Sequence, residues 1–310
     1  MNIIKNRYLF FGISLLVIIP GIIALILWSL PLGVDFTGGS LLEVSFASGS
    51  PLTITDVTKM YSDFSKPGAD ISNPIIQPLG TDSLSIRSKV MTDATKSEIV
   101  AAMKALSGTD VTVLHFTQVS AAVGKEVAAR AAGAVALAAI AILLYITYAF
   151  RGVQHAFRYG TAAIIAMLHD VLVVVGVEAI LGHFLGWEAD SLFLTALLTV
   201  IGFSVHDTIV VFDRIRENSS QYRKISYETL VNHSIVQTLD RSINTQLTVM
   251  MTLTALALFG GMSIRHFVVI LLVGVFSGTY SSIFNAAPIL VVWENKEWRN
   301  WFRRKPAVAE

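Results

Sequence analysis

Ser204, His206, Asp207 and Thr208 lie inside an apolar stretch that runs from Ser191 to a basic, polar exit ending at Asn218. An aspartate at a bilayer centre costs roughly 2.5–3.5 kcal/mol on insertion scales, so its presence there calls for a reason. Helical geometry puts Ser204, Asp207, Thr208 and Val211 on one stripe, with His206 about 100° away. Two chemistries suit Asp207. It can be a buried acid that fixes helix packing through a hydrogen bond, or a protonatable carboxylate in an ion path. In general, a carboxyl that alternates between apolar burial and a nearby cation changes its proton affinity, which allows uptake on one side and release on the other.

Other residues extend the candidate site. His169–Asp170 repeats the His-Asp pattern near the middle of another apolar run, with packing and proton relay equally open to it. Arg241 precedes a further apolar run and is either Asp207's cation or an ordinary boundary arginine. Asn244, Thr245, Gln246, Thr248 and Thr252 make that run polar, as residues that hydrogen-bond between helices do. Gly274-x-x-x-Gly278 permits close helix approach. Glu178, His183 and His266 fall near helix ends, where no special role is needed. The sequence has no Gly-rich phosphate loop, no Ser-His-Asp arrangement and no zinc-ligand spacing, so the expectation is a protein that is not an enzyme and carries no cofactor or metal.

The elements that must hold these residues are membrane helices. Of 310 residues, 54% are hydrophobic and 15% charged, against about 25% charged in a soluble domain. The net charge of +1 gives no sign of nucleic-acid binding, and the absence of cysteine excludes disulfides and thiolate chemistry. Six apolar spans are predicted: Tyr8–Leu32, Arg130–Phe150, Tyr159–Leu181, Ser191–Phe212, Ile243–Phe259 and Phe267–Val292. The one long connection among the last five is Arg214–Ser242. Lys5, Arg7, Arg151, Arg158, Arg214, Arg216, Arg223, Lys224, Arg241, Lys296, Arg299, Arg303, Arg304 and Lys305 fall on one side, and the opposite short loops hold only Arg265. The positive-inside rule then places both termini in the cytoplasm.

The expected domains are 1–32 (N-terminus and first helix), 33–126 (an outer domain), 127–292 (helices two to six) and 293–310 (a basic amphipathic tail with Trp293, Trp298 and Trp301). In the outer domain, 41–46, 71–79, 83–88 and 111–119 read as strands, and 53–64 and 92–106 as helices. That β-α-β-β-α-β order is the α+β ferredoxin-like unit.

Two stretches resemble the SecD/SecF family of translocase subunits. Gly33 to Ser40 (GVDFTGGS) is similar to the family's motif after the first helix, and Val200 to Asn218 (VIGFSVHDTIVVFDRIREN) to its fourth-helix signature. Leu168-His169-Asp170 and Asp240-Arg241-Ser242 support the match. The single outer domain and the length fit the SecF branch rather than the larger SecD. The resemblance implies six helices forming half of an RND-type bundle in the bacterial inner membrane. It also implies partners: SecD, the SecYEG channel, translocating preprotein, YajC/YidC and membrane lipids. The implied function is use of the proton-motive force, with SecD, to promote late export after SecA has acted. On this resemblance Asp207, Arg241, Asp170 and His206 form the proton relay, with His206 standing where other members often have a neutral amide. Asp35, Phe36, Thr37, Gly38 and Gly39 form a junction that is either a hinge or a fixed turn. The alternatives are a structural or assembly subunit without proton transport, and an independent exporter half.

Overall fold

A computed structural model describes residues 2–47, 52–65, 70–153, 155–222 and 224–297, apart from the side chains of residues 262 and 263. The expected tail from residue 298 onward, with Trp298 and Trp301, lies outside the described residues, as does Arg223. In chain order the elements are a 3-10 turn (Ile4–Asn6), α1 (Arg7–Trp28), α2 (Val34–Thr37), β1 (Gly39–Phe46), α3 (Ile54–Asp63), β2 (Ile75–Pro78), β3 (Ser83–Ser88), α4 (Asp93–Ser107) and β4 (Val111–Val119). They continue with α5 (Ala121–Ala149), α6 (Ala156–Leu185), α7 (Ser191–Gln221), α8 (Tyr227–Phe259), α9 (Met262–Ser281), a π-helical turn (Ser282–Ala286) and α10 (Ala287–Glu294). The chain forms two compact units.

One unit spans Leu30–Ala134 together with Gly182–Leu194. Its antiparallel sheet has the order β2-β3-β1-β4, which completes the ferredoxin-like topology expected from the sequence. Along β1, Ser40, Leu42, Val44 and Phe46 alternate inward. Leu42, Val44 and Phe46 meet Val57, Met60 and Tyr61 of α3 and Ile99 and Met103 of α4 in one core. Thr53 and Thr92 cap the two helices by accepting from Asp56 N and Thr95 N. The strand expected over 71–79 is shorter, because Asp70 makes a competing local turn. Its carboxylate accepts from Ser72 N and Oγ at 3.2 and 2.6 Å and from Lys89 Nζ at 2.8 Å. Lys89 and the serine donors hold that carboxyl well below the usual carboxylate range.

The other unit holds α1, most of α5 to α7, and all of α8 to α10. Six helical segments among the described residues are long and apolar enough to cross a membrane. Helices α6, α7 and α9–α10 form its buried centre, whereas α1, α5 and α8 are mostly exposed. The long connection expected over Arg214–Ser242 is mostly helix. Ser226 caps α8 by accepting from Thr229 N, and Leu230, Val231, Ser234, Ile235, Thr238 and Ser242 bury one face at helical spacing. That face is amphipathic rather than apolar, so a search for apolar runs passes over it.

Small residues set the helix separations. A Cβ on Gly21 of α1 would lie 2.8 Å from Gly176 Cα of α6, and one on Gly278 of α9 would lie 3.2 Å from Ser204 Cα of α7. Pro288 cannot donate to the carbonyl four residues back, and the π-helical turn occupies that stretch. Asn285 in this turn bonds Ser14 of α1, with both contacts at 2.9–3.0 Å.

Arg7 closes one end of the bundle. It donates to both oxygens of Glu297 at 2.7 and 3.1 Å and to Glu228 at 3.2 Å. Asn232 accepts from the backbone of Ile3 and Ile4. Burial pushes the Glu297 carboxyl up, but Arg7 and Tyr8 outweigh it and hold the group below its ordinary value. A carboxyl lowered in the folded state contributes its full stability above the unfolded value and loses it as pH falls through the folded one. Arg7→Ala is therefore expected to cost about 1–3 kcal/mol at neutral pH. The difference from wild type should shrink on acidification, as read by thermal unfolding in detergent across pH.

Candidate functional site

Two buried acids, Asp170 on α6 and Asp207 on α7, have different surroundings. Asp170 on α6 is fully buried. Ser204 Oγ of α7 and Ser281 Oγ of α9 donate to its Oδ2 at 2.5 and 2.6 Å. Ser277 Oγ of α9 donates to Oδ1 at 2.6 Å, and His169 Nδ1 lies 3.0 Å from the same oxygen. The arrangement follows from spacing. Gly274, Ser277, Gly278 and Ser281 share one stripe of α9. The glycines let α7 approach, with Gly274 against Val200 and Gly278 against Ser204, and the serines then reach Asp170. A carboxylate has about four acceptor sites, and here four donors face it. Asp170 ties three helices together.

Asp207 sits one turn along α7 from Ser204 and is 4% exposed. Gln246 Nε2 of α8 donates to its Oδ2. The neighbouring Thr208 turns to the π-helical turn that follows α9, where its Oγ1 is 2.9 Å from Ser282 Oγ. Among the described residues, Asp207 thus has a single side-chain hydrogen-bond partner, where Asp170 has four. Gln246 is itself buried, and its Oε1 has no partner among the described residues.

Among the described residues, neither cationic candidate forms an ion pair or a side-chain hydrogen bond with Asp207. Arg241 is exposed and stands five residues before Gln246, about 7.5 Å along α8 and about 140° around it. His206 is exposed on the outward side of α7. Arg241, Asn244, Thr245, Thr248 and Thr252 form one exposed polar stripe of α8, and Gln246 points away from it. That angular separation is the sequence signal that marks out Gln246, which otherwise looks like one more polar residue. Near the other end of α6, fully buried Glu178 bonds His266 Nε2 at 2.8 Å. The sequence gives this pair no sign beyond two residues at helix ends.

The junction residues belong to the sheet-containing unit. Phe36 is 8% exposed, and Thr37 Oγ1 donates to Gly33 O at 3.0 Å. Gly38 has φ +79°, and a Cβ there would lie 2.5 Å from Ala121 Cα. Gly39 has φ +132°, with Ser88 O 2.6 Å from the corresponding position. These glycines serve left-handed backbone and close packing, the geometry that a fixed turn requires.

Asp170→Asn would place an amide N–H₂ among serine hydroxyls that now donate. The expected loss is about 2–4 kcal/mol of stability, read as a lower unfolding midpoint. Gln246→Leu, which removes a residue with one unmet polar atom, should lower the midpoint less.

Residues 99–296 match the model of the protein export membrane protein SecD/SecF C-terminal region, and residues 30–49 match the SecD/SecF GG motif. The "Protein translocase subunit SecF" of Anaerolinea thermophila is 56% identical over the full length of both chains. The "Protein translocase subunit SecDF" of Bacillus subtilis is 37% identical over 94% of this chain and 38% of its own. A crystal structure of SecDF from Thermus thermophilus, described as a translocon-associated membrane protein, superposes with a TM-score of 0.80 at 31% identity. That alignment covers 95% of this chain, which spans 39% of the SecDF chain. By the two motif regions and by identity along its whole length, the chain belongs to the SecD/SecF family, in its SecF branch.

Proposed function

We propose that the chain is a non-enzymatic subunit of a preprotein translocase of the bacterial inner membrane, and that with SecD it converts the proton-motive force into late-stage export. The observation that carries this reading is Asp207, buried in an apolar helix with Gln246 as its single side-chain hydrogen-bond partner among the described residues. Intramembrane acids mark proton and ion routes by default. The names of the relatives, translocase subunit SecF and SecDF, support the export role.

The exposed polar stripe of α8, together with His206 on α7, supports a partner half. Arg241, Asn244 and Thr245 facing hydrocarbon would be costly, so this side of the bundle is read as covered by SecD. In that assembly Arg241 meets Asp207 in one conformation and leaves it in another, and the protonation of Asp207 sets the choice between them. One charge crossing 100 mV is worth about 2.3 kcal/mol, so a few protons suffice to bias such an equilibrium. The basic loops set the orientation, with both termini cytoplasmic. SecYEG, preprotein and YajC/YidC are the remaining partners of this reading.

A second reading, an assembly subunit, is favoured by the Asp170 network, which is built for holding helices together. Asp207→Asn separates the two, because the amide fills the same space and cannot titrate. In inverted vesicles with SecD, the variant is expected to assemble at wild-type yield and to lose the gradient-dependent part of preprotein release. Full retention of that part would establish the assembly reading.

A further inference from the structure

The GG motif has a second feature besides its packed glycines. Segment 182–194, which joins α6 to α7, belongs to the same compact unit as the sheet. Four sets of contacts bind it there. Gly33 N donates to Ala189 O, and Ala189 N to Pro31 O, each at 2.8 Å, forming a parallel bridge between Leu32 and Ala189. Arg87 of β3 donates to Glu188 at 2.7 Å, to Leu32 O at 3.0 Å and to Thr37 Oγ1 at 2.9 Å. Gly182 lies against Pro31, and Gly186 (φ +72°) against the Gln77 amide. Finally, Asp35 Oδ2 accepts from Ser191 N at 2.9 Å.

Ser191 is the first residue of α7, and Asp190 Oδ1 accepts from Phe193 N at 2.8 Å. A helix begins with four N–H groups that lack intrahelical partners, and its positive end favours carboxylates. Asp190 supplies one cap from within the segment. Asp35 supplies the other from the motif. Asp207 follows sixteen residues later in the sequence of α7.

We infer that Asp35 and Arg87 are positioning residues for the proton-driven step: they fasten the first turn of α7 to the sheet domain, so that movement of the domain and the setting of Asp207 change together. Asp35 acts through its acceptor oxygen at the helix start, and Arg87 through the ion pair that holds Glu188 and the motif in one piece. Tight glycine packing suits this role, because a loose junction would absorb the motion rather than transmit it. The inference rests on the proton-driven reading above.

The test uses the full chain with SecD in inverted vesicles, comparing wild type with Asp35→Ala, Asp35→Asn and Glu188→Gln. Asparagine keeps an acceptor oxygen at the cap and alanine does not. Two readouts are needed: amide hydrogen exchange in the first turn of α7, and preprotein release with and without a proton gradient. Asp35→Ala is expected to speed exchange at Ser191 roughly two- to thirtyfold, the range of a lost cap. It should also remove most of the gradient-dependent release while leaving gradient-independent release unchanged. Asp35→Asn should retain most of both properties. Glu188→Gln frees the segment by another route and should reproduce the alanine result, which keeps the test decisive if Asp35→Ala gives poor yield. Faster exchange with intact gradient-dependent release overturns the inference, as does an equal fall in both kinds of release. If Asp207→Asn keeps gradient-dependent release, the functional reading fails separately, and the exchange data still decide whether Asp35 holds the helix.

Discussion

An acid placed among apolar helices must find its donors on the neighbouring helices, because the apolar phase offers none. Asp170 shows how far this requirement shapes the bundle. Its donors come from Ser204, Ser277 and Ser281, with His169 alongside, and those hydroxyls reach it because Gly274 and Gly278 bring α9 against α7. A larger residue at either glycine would separate the helices and leave the carboxylate short of donors. Close packing and charge satisfaction are one constraint here, and the separation of α6, α7 and α9 follows from it.

Asp207 answers the same requirement only in part. Gln246 is a neutral partner on α8, a helix whose opposite side is exposed and polar. A saturated site such as Asp170 resists rearrangement, since any movement breaks several strong bonds at once. A site held through one amide gives up much less when its neighbour changes. The two acids thus differ in setting: one joins α6, α7 and α9, and the other meets α8 through one amide.

The legible part of the fold was the part governed by periodicity. Alternation in β1 and β3, the helical spacing of Val57, Met60 and Tyr61, and the apolar spans all carry their own signature, and the sheet order follows from them. Boundaries failed where local chemistry competes. Asp70 turns the chain where Ile71 suggested a strand, and the amphipathic start of α8 lacks the apolar run that defines the rest of its span. In the site, Asp207 and Asp170 were visible because a lone acid in apolar sequence is conspicuous. Gln246 was expected to hydrogen-bond between helices and Ser204 to share a stripe with Asp207, but their partners, and the roles of Ser277 and Ser281, were not visible, because a polar residue's partner depends on which way its helix faces. Arg241 was placed near Asp207 by its position before the span, yet rotation about α8 directs it elsewhere in this structure.

The motif glycines make the same point about what sequence leaves undecided. Glycine is compatible with a hinge and with a crowded turn, and only neighbours distinguish the two. Around Gly38 and Gly39 those neighbours are backbone atoms of residues 121 and 88, within distances no Cβ could occupy. Backbone cannot swing aside as a flexible side chain can, so rotation at either glycine would require the flanking strand and helix to separate first. Freedom of φ is therefore used here to reach an unusual geometry and then removed by packing.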